Sequence, residues 1–275
     1  MTDTAAYADV VFPACTQIEQ EDLVPAWGHL YMGWNHKAIE PLGESVPNTE
    51  LWRRLSRAMG FTEPELFATD EELLDAALSR IDTEELRTRG YRRLSVPEEL
   101  LPYANGGFAT PSGRARLSNP DLVAVGLPAL PDFTAAVESA GGRAELTERF
   151  PLSLMSPKNH LRFLNSSYSH LEHHAAAEGE IFCEIHEEDA RARHIADGDL
   201  VDVHNDRASV SAMARVTSGD ACRVRPGVVI VPFGWVGGRT FDERTVNALT
   251  NDAPADWGGG VAFYDTLVEV SKKAD

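Results

Sequence analysis

The residues best suited to hold a ligand fall in one run, Ser156-Pro157-Lys158-Asn159-His160-Leu161-Arg162-Phe163-Leu164-Asn165-Ser166-Ser167. It follows the short apolar alternation Leu152-Ser153-Leu154-Met155, so it reads as a polar loop at the end of a strand. Lys158 and Arg162 supply positive charge for an anion. Ser156, Asn159, Asn165 and Ser166 supply the mixed donors and acceptors that a heterocycle's edge demands. Pro157 and His160 belong to the same run and are taken with it. The same composition also describes a solvated loop. A second set lies near the end of the chain, where Gly258, Gly259 and Gly260 precede Phe263. Glycines let a backbone approach a ligand closely, although the triplet also suits a flexible turn before a last strand at Thr266–Val270.

Other chemistry is less well supplied. His170, His173 and His174 are close enough in sequence to reach one ion. A structural zinc takes four ligands, commonly with cysteine among them, and no cysteine is near, so these histidines read as an exposed loop. Glu19, Glu21, Asp22, His29 and His36 match no compact metal spacing and read as a loop pinned by Trp27, Tyr31 and Trp34. No Gly-x-Ser-x-Gly turn offers a nucleophile. The sequence assigns no catalytic residue and no metal ligand.

The elements that would position the polar loop form one stretch. Ile181, Cys183 and Ile185 alternate with Phe182, Glu184 and His186, as in a half-buried strand. Glu187–Arg193 is a short charged helical turn, and Asp197-Gly198-Asp199 turns the chain into Val201 and Val203. After Asn205-Asp206-Arg207, the residues Val210, Ala212, Ala214 and Val216 face one way, and Pro226–Pro232 is too continuously apolar for a surface strand. Short strands around one small helix predict a closed or nearly closed β-barrel.

Upstream, Leu51, Trp52, Leu55 and Met59 predict a helix capped at Asn48/Thr49 and ended by Gly60. Thr69-Asp70-Glu71-Glu72 opens another as a capping box, with Leu73, Leu74, Ala77, Leu78 and Ile81 inward. A third charged helix is predicted near Thr83–Arg89. Val10-Val11-Phe12 reads as an apolar strand stopped by Pro13, and Phe108–Arg114 as a turn before a short strand. The proline-interrupted stretch Asn119–Ala140 reads as a linker.

The run Asp189–Val201 with Asn205-Asp206-Arg207 resembles the C-terminal cofactor-binding domain of the molybdopterin oxidoreductases, the dimethyl sulfoxide reductase family. Thr2-Asp3-Thr4-Ala5 followed by Ala8-Asp9-Val10-Val11-Phe12-Pro13 resembles a run that closes an α/β domain in the same family. The acid-rich loop around Glu19–Asp22, Ala38–Glu44 and Phe108–Arg114 resemble further elements in the family's order. The family has glycine where this chain has His194 and Ala208.

The resemblance implies an α+β protein: a partial α/β domain with linker over residues 1–145, then a double-psi-type β-barrel over 146–275. It also implies that the barrel binds molybdopterin guanine dinucleotide. The first contacts would come from the Ser156–Ser167 loop, through its pyrophosphate and pterin, and further ones from Asn247 and Thr250 of an Asn-x-Leu-Thr element, with Gly259 and Phe263. The resemblance further implies that the chain starts inside a domain. The molybdenum ligand would then be held by a missing N-terminal half or catalytic subunit that serves as partner, and the isolated chain would be inactive. A non-catalytic binding or assembly module working only with a partner chain is the alternative.

Composition agrees with these expectations. A hydrophobic share of 43% and a charged share of 25% suit a globular protein. A net charge of −18 argues against nucleic acid, which demands a basic face. No apolar run approaches the ~20 residues of a membrane helix. Cys15, Cys183 and Cys222 are odd in number and widely spaced, which suits reduced thiols in the cytoplasm.

Overall fold

The computed structural model describes residues 2–79, 83–130, 132–158, 165–219, 223–235 and 238–274. The chain divides into two compact units, Asp9–Arg114 and Met1–Ala8 with Ala115–Asp275. Helix α1 (Asp3–Tyr7) belongs to the second.

In the first unit, β1 (Asp22–Val24), β2 (Tyr31–Asn35) and β3 (Tyr91–Arg93) form an antiparallel sheet in that order. Three helices accompany it, α2 (Asn48–Met59), α3 (Asp70–Ala77) and α4 (Thr83–Arg89). Gly60 ends α2 as predicted, left-handed at φ 76°, but the N-cap is Pro47 and Asn48 already lies inside the helix. Thr69 and Glu72 cap α3 reciprocally, and Leu78 is buried while Leu73 is 41% exposed. Ile81 lies outside the described residues.

Two expectations for this unit fail. Val10-Val11-Phe12 forms no regular strand, because a strand needs a neighbour and the ladder there is one bridge, Ala14 with Val46. Phe108–Arg114 turns as expected, but no strand follows it.

After α1, the second unit continues with α5 (Pro120–Ala124), capped by the Asn119 side chain, and α6 (Ala144–Arg149). It then closes a barrel from β4 (Leu152–Met155), β5 (Phe182–His186), β6 (Leu200–His204), β7 (Ser209–Thr217), β8 (Val228–Ile230) and β9 (Leu267–Lys272). The barrel order is β4-β8-β5-β7-β6-β9. Its pairs β4–β8 and β5–β7 are parallel, which separates it from an up-and-down barrel. This is the α+β class with a closed barrel that the sequence predicts.

The two-residue period puts Cys183, Ile185, Val201, Val203, Val210, Ala212 and Val229 into one core. Helix α7 (Glu172–Glu178) stands where the sequence suggested a loop, and α8 (Glu187–Ala192) is the predicted charged turn. No helix among the described residues is long and apolar enough to cross a membrane.

Asn119–Ala140, predicted as a linker, lies in the barrel's unit. Glu138 shows why: its carboxylate pairs with Arg207 and accepts from the Leu267 amide at 3.4 Å.

Candidate functional site

One cavity of the barrel unit collects sequence-predicted residues from distant segments. It has about 330 Å³ and is lined by Thr2, Thr4, Asn165, Ser166, Phe233, Gly234, Trp235, Thr245 and Asn247. Asn165 sits at φ 64°, a left-handed conformation that asparagine tolerates better than most side chains. Asn247 is the second residue of the 3₁₀ turn Val246–Leu249. That turn is anchored by the buried side chains of Val246 and Leu249. Trp235 is 3% exposed, donates its indole N–H to the Gly179 carbonyl at 3.0 Å and packs edge-on against Phe182. It is therefore a fixed wall.

The lining is chemically uniform. Asn165 and Asn247 bring amides, Thr2, Thr4, Ser166 and Thr245 bring hydroxyls, and Phe233 and Trp235 bring aromatic surface. No charged side chain lines it among the described residues. Neutral groups that both donate and accept, beside flat aromatic surface, suit an uncharged hydrogen-bonding heterocycle. They do not by themselves suit a phosphate, which calls for a cation or converging N–H groups.

The strand end supplies that charge. Lys158 bridges in parallel to Phe233, and the Phe233 amide donates to the Pro157 carbonyl at 3.1 Å. Exposed Lys158 thus lies one backbone pairing from a cavity residue. A pterin dinucleotide needs both kinds of surface, so the donor set fits the group.

The remaining predicted residues divide. Ser156 is 4% exposed, beneath the surface rather than on it. Thr250 follows the Asn247 turn, and its amide and hydroxyl both donate to the Asn247 carbonyl, at 3.2 and 3.0 Å. Gly259, left-handed at φ 70°, and Phe263, 43% exposed, do not line the cavity. Asn251 ties their loop by donating to the Asp265 carbonyl at 3.1 Å. Asn159, His160 and Arg162 lie outside the described residues.

Sequence reasoning placed none of Thr2, Thr4, Phe233, Gly234, Trp235 or Thr245 in the site. The threonines carried a signal, since Thr2-Asp3-Thr4 stood out as a motif, but nothing in the sequence told that it lies beside the barrel. The histidine cluster has its own contacts: the rings of His173 and His174 lie 4.1 Å apart, and His174 stacks on Tyr168.

Comparison with known proteins gives this arrangement a context. Residues 152–267 match the family model of the molydopterin dinucleotide binding domain, and residues 1–58 match that of molybdopterin oxidoreductase. The chain is 34% identical to the probable oxidoreductase YoaE of Bacillus subtilis, over 99% of this chain and 39% of that protein. It is 29% identical to the dimethyl sulfoxide reductase DmsA of Escherichia coli, over 99% of this chain and 37% of that protein. The solved structure of acetylene hydratase from Pelobacter acetylenicus has the same fold, with a TM-score of 0.80 at 20% identity, over 99% of this chain and 39% of that one. The chain therefore spans about two fifths of the relatives it matches. The matches at both ends and the relatives that cover the chain between them fix its kinship: it belongs to the molybdopterin oxidoreductases of the dimethyl sulfoxide reductase family, and its barrel is their dinucleotide-binding domain.

Proposed function

We propose that this barrel binds and orients molybdopterin guanine dinucleotide for an oxidoreductase that acts on a small substrate. The convergence of Asn165, Ser166 and Asn247 on one neutral, aromatic-backed cavity carries this reading. Asn165, Ser166 and Asn247 hold the heterocyclic part through amide and hydroxyl contacts, and Thr250 supports Asn247. Lys158, with Arg162 of the same run, offsets phosphate charge. When bound, the cofactor's molybdenum supplies two-electron transfer together with an oxo or hydride equivalent.

This chain's own residues do the binding. Trp235 and Phe233 exclude water from the heterocycle's face, and the amides fix its orientation. The metal ligand comes from a region corresponding to the part of the relatives that this chain does not match, and that region is the partner of this one.

The test is cofactor content of the assembled protein, read as pterin fluorescence per mole. A charge-assisted contact contributes about 1.5–3 kcal/mol. Lys158→Ala should therefore lower retention by roughly one to two decades, at about 1.4 kcal/mol per decade. Asn247→Ala should lower it by about one decade. Parent-like retention in both variants would remove this cavity from the site. Stable assembly with no pterin at all would point instead to a non-catalytic assembly module.

A further inference from the structure

The cavity residue Asn247 is carried on a turn whose own fixation comes from a distant loop. The Leu249 carbonyl, at the end of the 3₁₀ turn, accepts from the Arg207 Nε and the Asn205 Nδ2, each at 2.8 Å. The two terminal nitrogens of Arg207 donate to the two carboxylate oxygens of Glu138, both at 2.7 Å. Hydrogen bonding to Glu138 raises the Arg207 pKa above its usual value. Both side chains are partly withdrawn from solvent, Glu138 at 15% exposure and Arg207 at 32%.

Glu138 is itself held by a tight loop. The Arg143 amide donates to the Val137 carbonyl at 3.1 Å, and the Gly142 amide to the Ser139 carbonyl at 2.8 Å. A Cβ at Gly142 would stand 2.3 Å from the carbonyl oxygens of Ala136 and Val137, so glycine alone permits this closure.

We infer that Glu138 and Arg207 are positioning residues for the cavity, acting through the Leu249 carbonyl to hold Asn247 toward its ligand; this rests on the cofactor reading above. The guanidinium is the one basic side chain that can do this. Its Nε meets a carbonyl while its other two nitrogens meet a carboxylate, and a lysine ammonium cannot span both in one plane. Removing the strut leaves the Leu249 carbonyl short of a donor and frees the turn to rotate Asn247.

The experiment uses the full chain in its assembled, cofactor-loaded form, with Glu138→Gln, Arg207→Lys, Asn247→Ala and the double variant Glu138→Gln/Asn247→Ala. Two quantities are read: the rate of pterin loss on dilution, and amide hydrogen exchange at Ala248 and Thr250 against Cys183–Ile185 of β5. Glu138→Gln and Arg207→Lys should each speed pterin loss by about tenfold. They should also speed exchange at Ala248 and Thr250 and leave β5 as in the parent. In the Asn247→Ala background, Glu138→Gln should add nothing further, because coupled residues are non-additive.

Parent-like exchange at Ala248 and Thr250 in Glu138→Gln would overturn the inference, as would fully additive losses in the double variant. If Arg207→Lys does not fold, the nearly isosteric Glu138→Gln decides alone. Parent-like pterin loss in Asn247→Ala, with faster turn exchange in Glu138→Gln, would instead sink the cofactor reading and leave the strut standing.

Discussion

Among the described residues, nineteen buried ones form one continuous apolar cluster in the barrel, whereas the Asp9–Arg114 unit has a cluster of three, Trp34, Leu78 and Leu86. The smaller unit makes up the difference with carboxylates. Glu19, 6% exposed, accepts from the amides of Thr16 and Leu42, both at 2.7 Å, and from the Thr16 hydroxyl at 2.9 Å. Glu21 accepts from the Trp34 indole at 2.5 Å and the Lys37 amide at 3.0 Å. Arg53 joins Glu50 to Asp70. The barrel unit has charge-assisted pairs too, such as Arg207–Glu138 and Arg193–Glu269, but they surround a large apolar core, whereas the smaller unit has only a slight one to set beside its carboxylates. Each should therefore fail under a different stress.

The largest effect should come from the barrel core. Ile185 is fully buried between β7 and β8. Ile185→Ala should cost about 2–5 kcal/mol, read by urea unfolding. A loss below about 1 kcal/mol, nearer the cost of an ordinary surface change, would mean that this core is not the continuous cluster described.

Gly142→Ala comes next, because it drives a Cβ into two carbonyl oxygens that cannot swing aside as a flexible side chain would. Overpacking of this kind costs roughly 1–3 kcal/mol. It should show as faster exchange of the Arg143 amide, which donates to Val137. An unchanged exchange rate there would show that the loop repacks freely.

Acid should loosen the smaller unit's caps while the barrel core holds, although the Ala196 amide and Lys272 also keep Asp199, at a turn of the barrel unit, below the usual carboxylate range. The Thr16 backbone, then the Leu42 amide and the Thr16 hydroxyl, hold the Glu19 carboxyl below the usual carboxylate range. The Thr69 backbone and hydroxyl do the same for Glu72. A carboxyl depressed in the folded state contributes stability above its unfolded pKa, about 4.3 for glutamate. That contribution fades as pH falls from there through the lower folded value. Hydrogen exchange should therefore rise first at Thr16, Leu42 and Thr69 as pH drops below about 4.3, while β5 and β7 stay protected. Glu19→Gln should flatten this response at Thr16 and Leu42. Simultaneous acid loss at these caps and at β5 and β7 would break the comparison.

The same contrast explains what could be read in the sequence. The barrel strands were legible because a buried face with a two-residue period leaves a plain trace, as in Val201 and Val203 or Val210, Ala212 and Ala214. The helices α3 and α4 were legible from caps and charge. Val10–Phe12 misled because a short apolar run marks a strand only where a neighbour pairs with it. Helix α7 was missed because its histidines and alanines carry no clear apolar face.

Three of the nine residues that line the cavity were candidates in the sequence. Asn165, Ser166 and Asn247 have the right chemistry, but Thr2, Thr4 and Trp235 join them only through tertiary contact. Glu138 gave no signal at all, since a lone glutamate in an aperiodic stretch does not announce an arginine far along the chain.

The smallest prediction separates the two places where glycine is the residue expected of the family. Helix α8 ends in a Schellman arrangement, with the His194 amide donating to the Arg191 carbonyl at 3.2 Å and the Ile195 amide to the Ala190 carbonyl at 2.9 Å. His194 is therefore the residue that must turn left-handed, and its φ is 55°. A Cβ in that conformation costs roughly 1–2 kcal/mol, and glycine avoids it. The His194 side chain is exposed, so its loss removes little packing. Ala208 differs on both counts: it does not stand at positive φ, and it packs against the barrel core. His194→Gly should thus stabilise the barrel by about 1 kcal/mol, read as a raised urea midpoint with an unchanged slope. Ala208→Gly should give no gain and a small loss. Equal shifts in the two variants would mean that chain entropy, and not the left-handed turn at the end of α8, sets the effect.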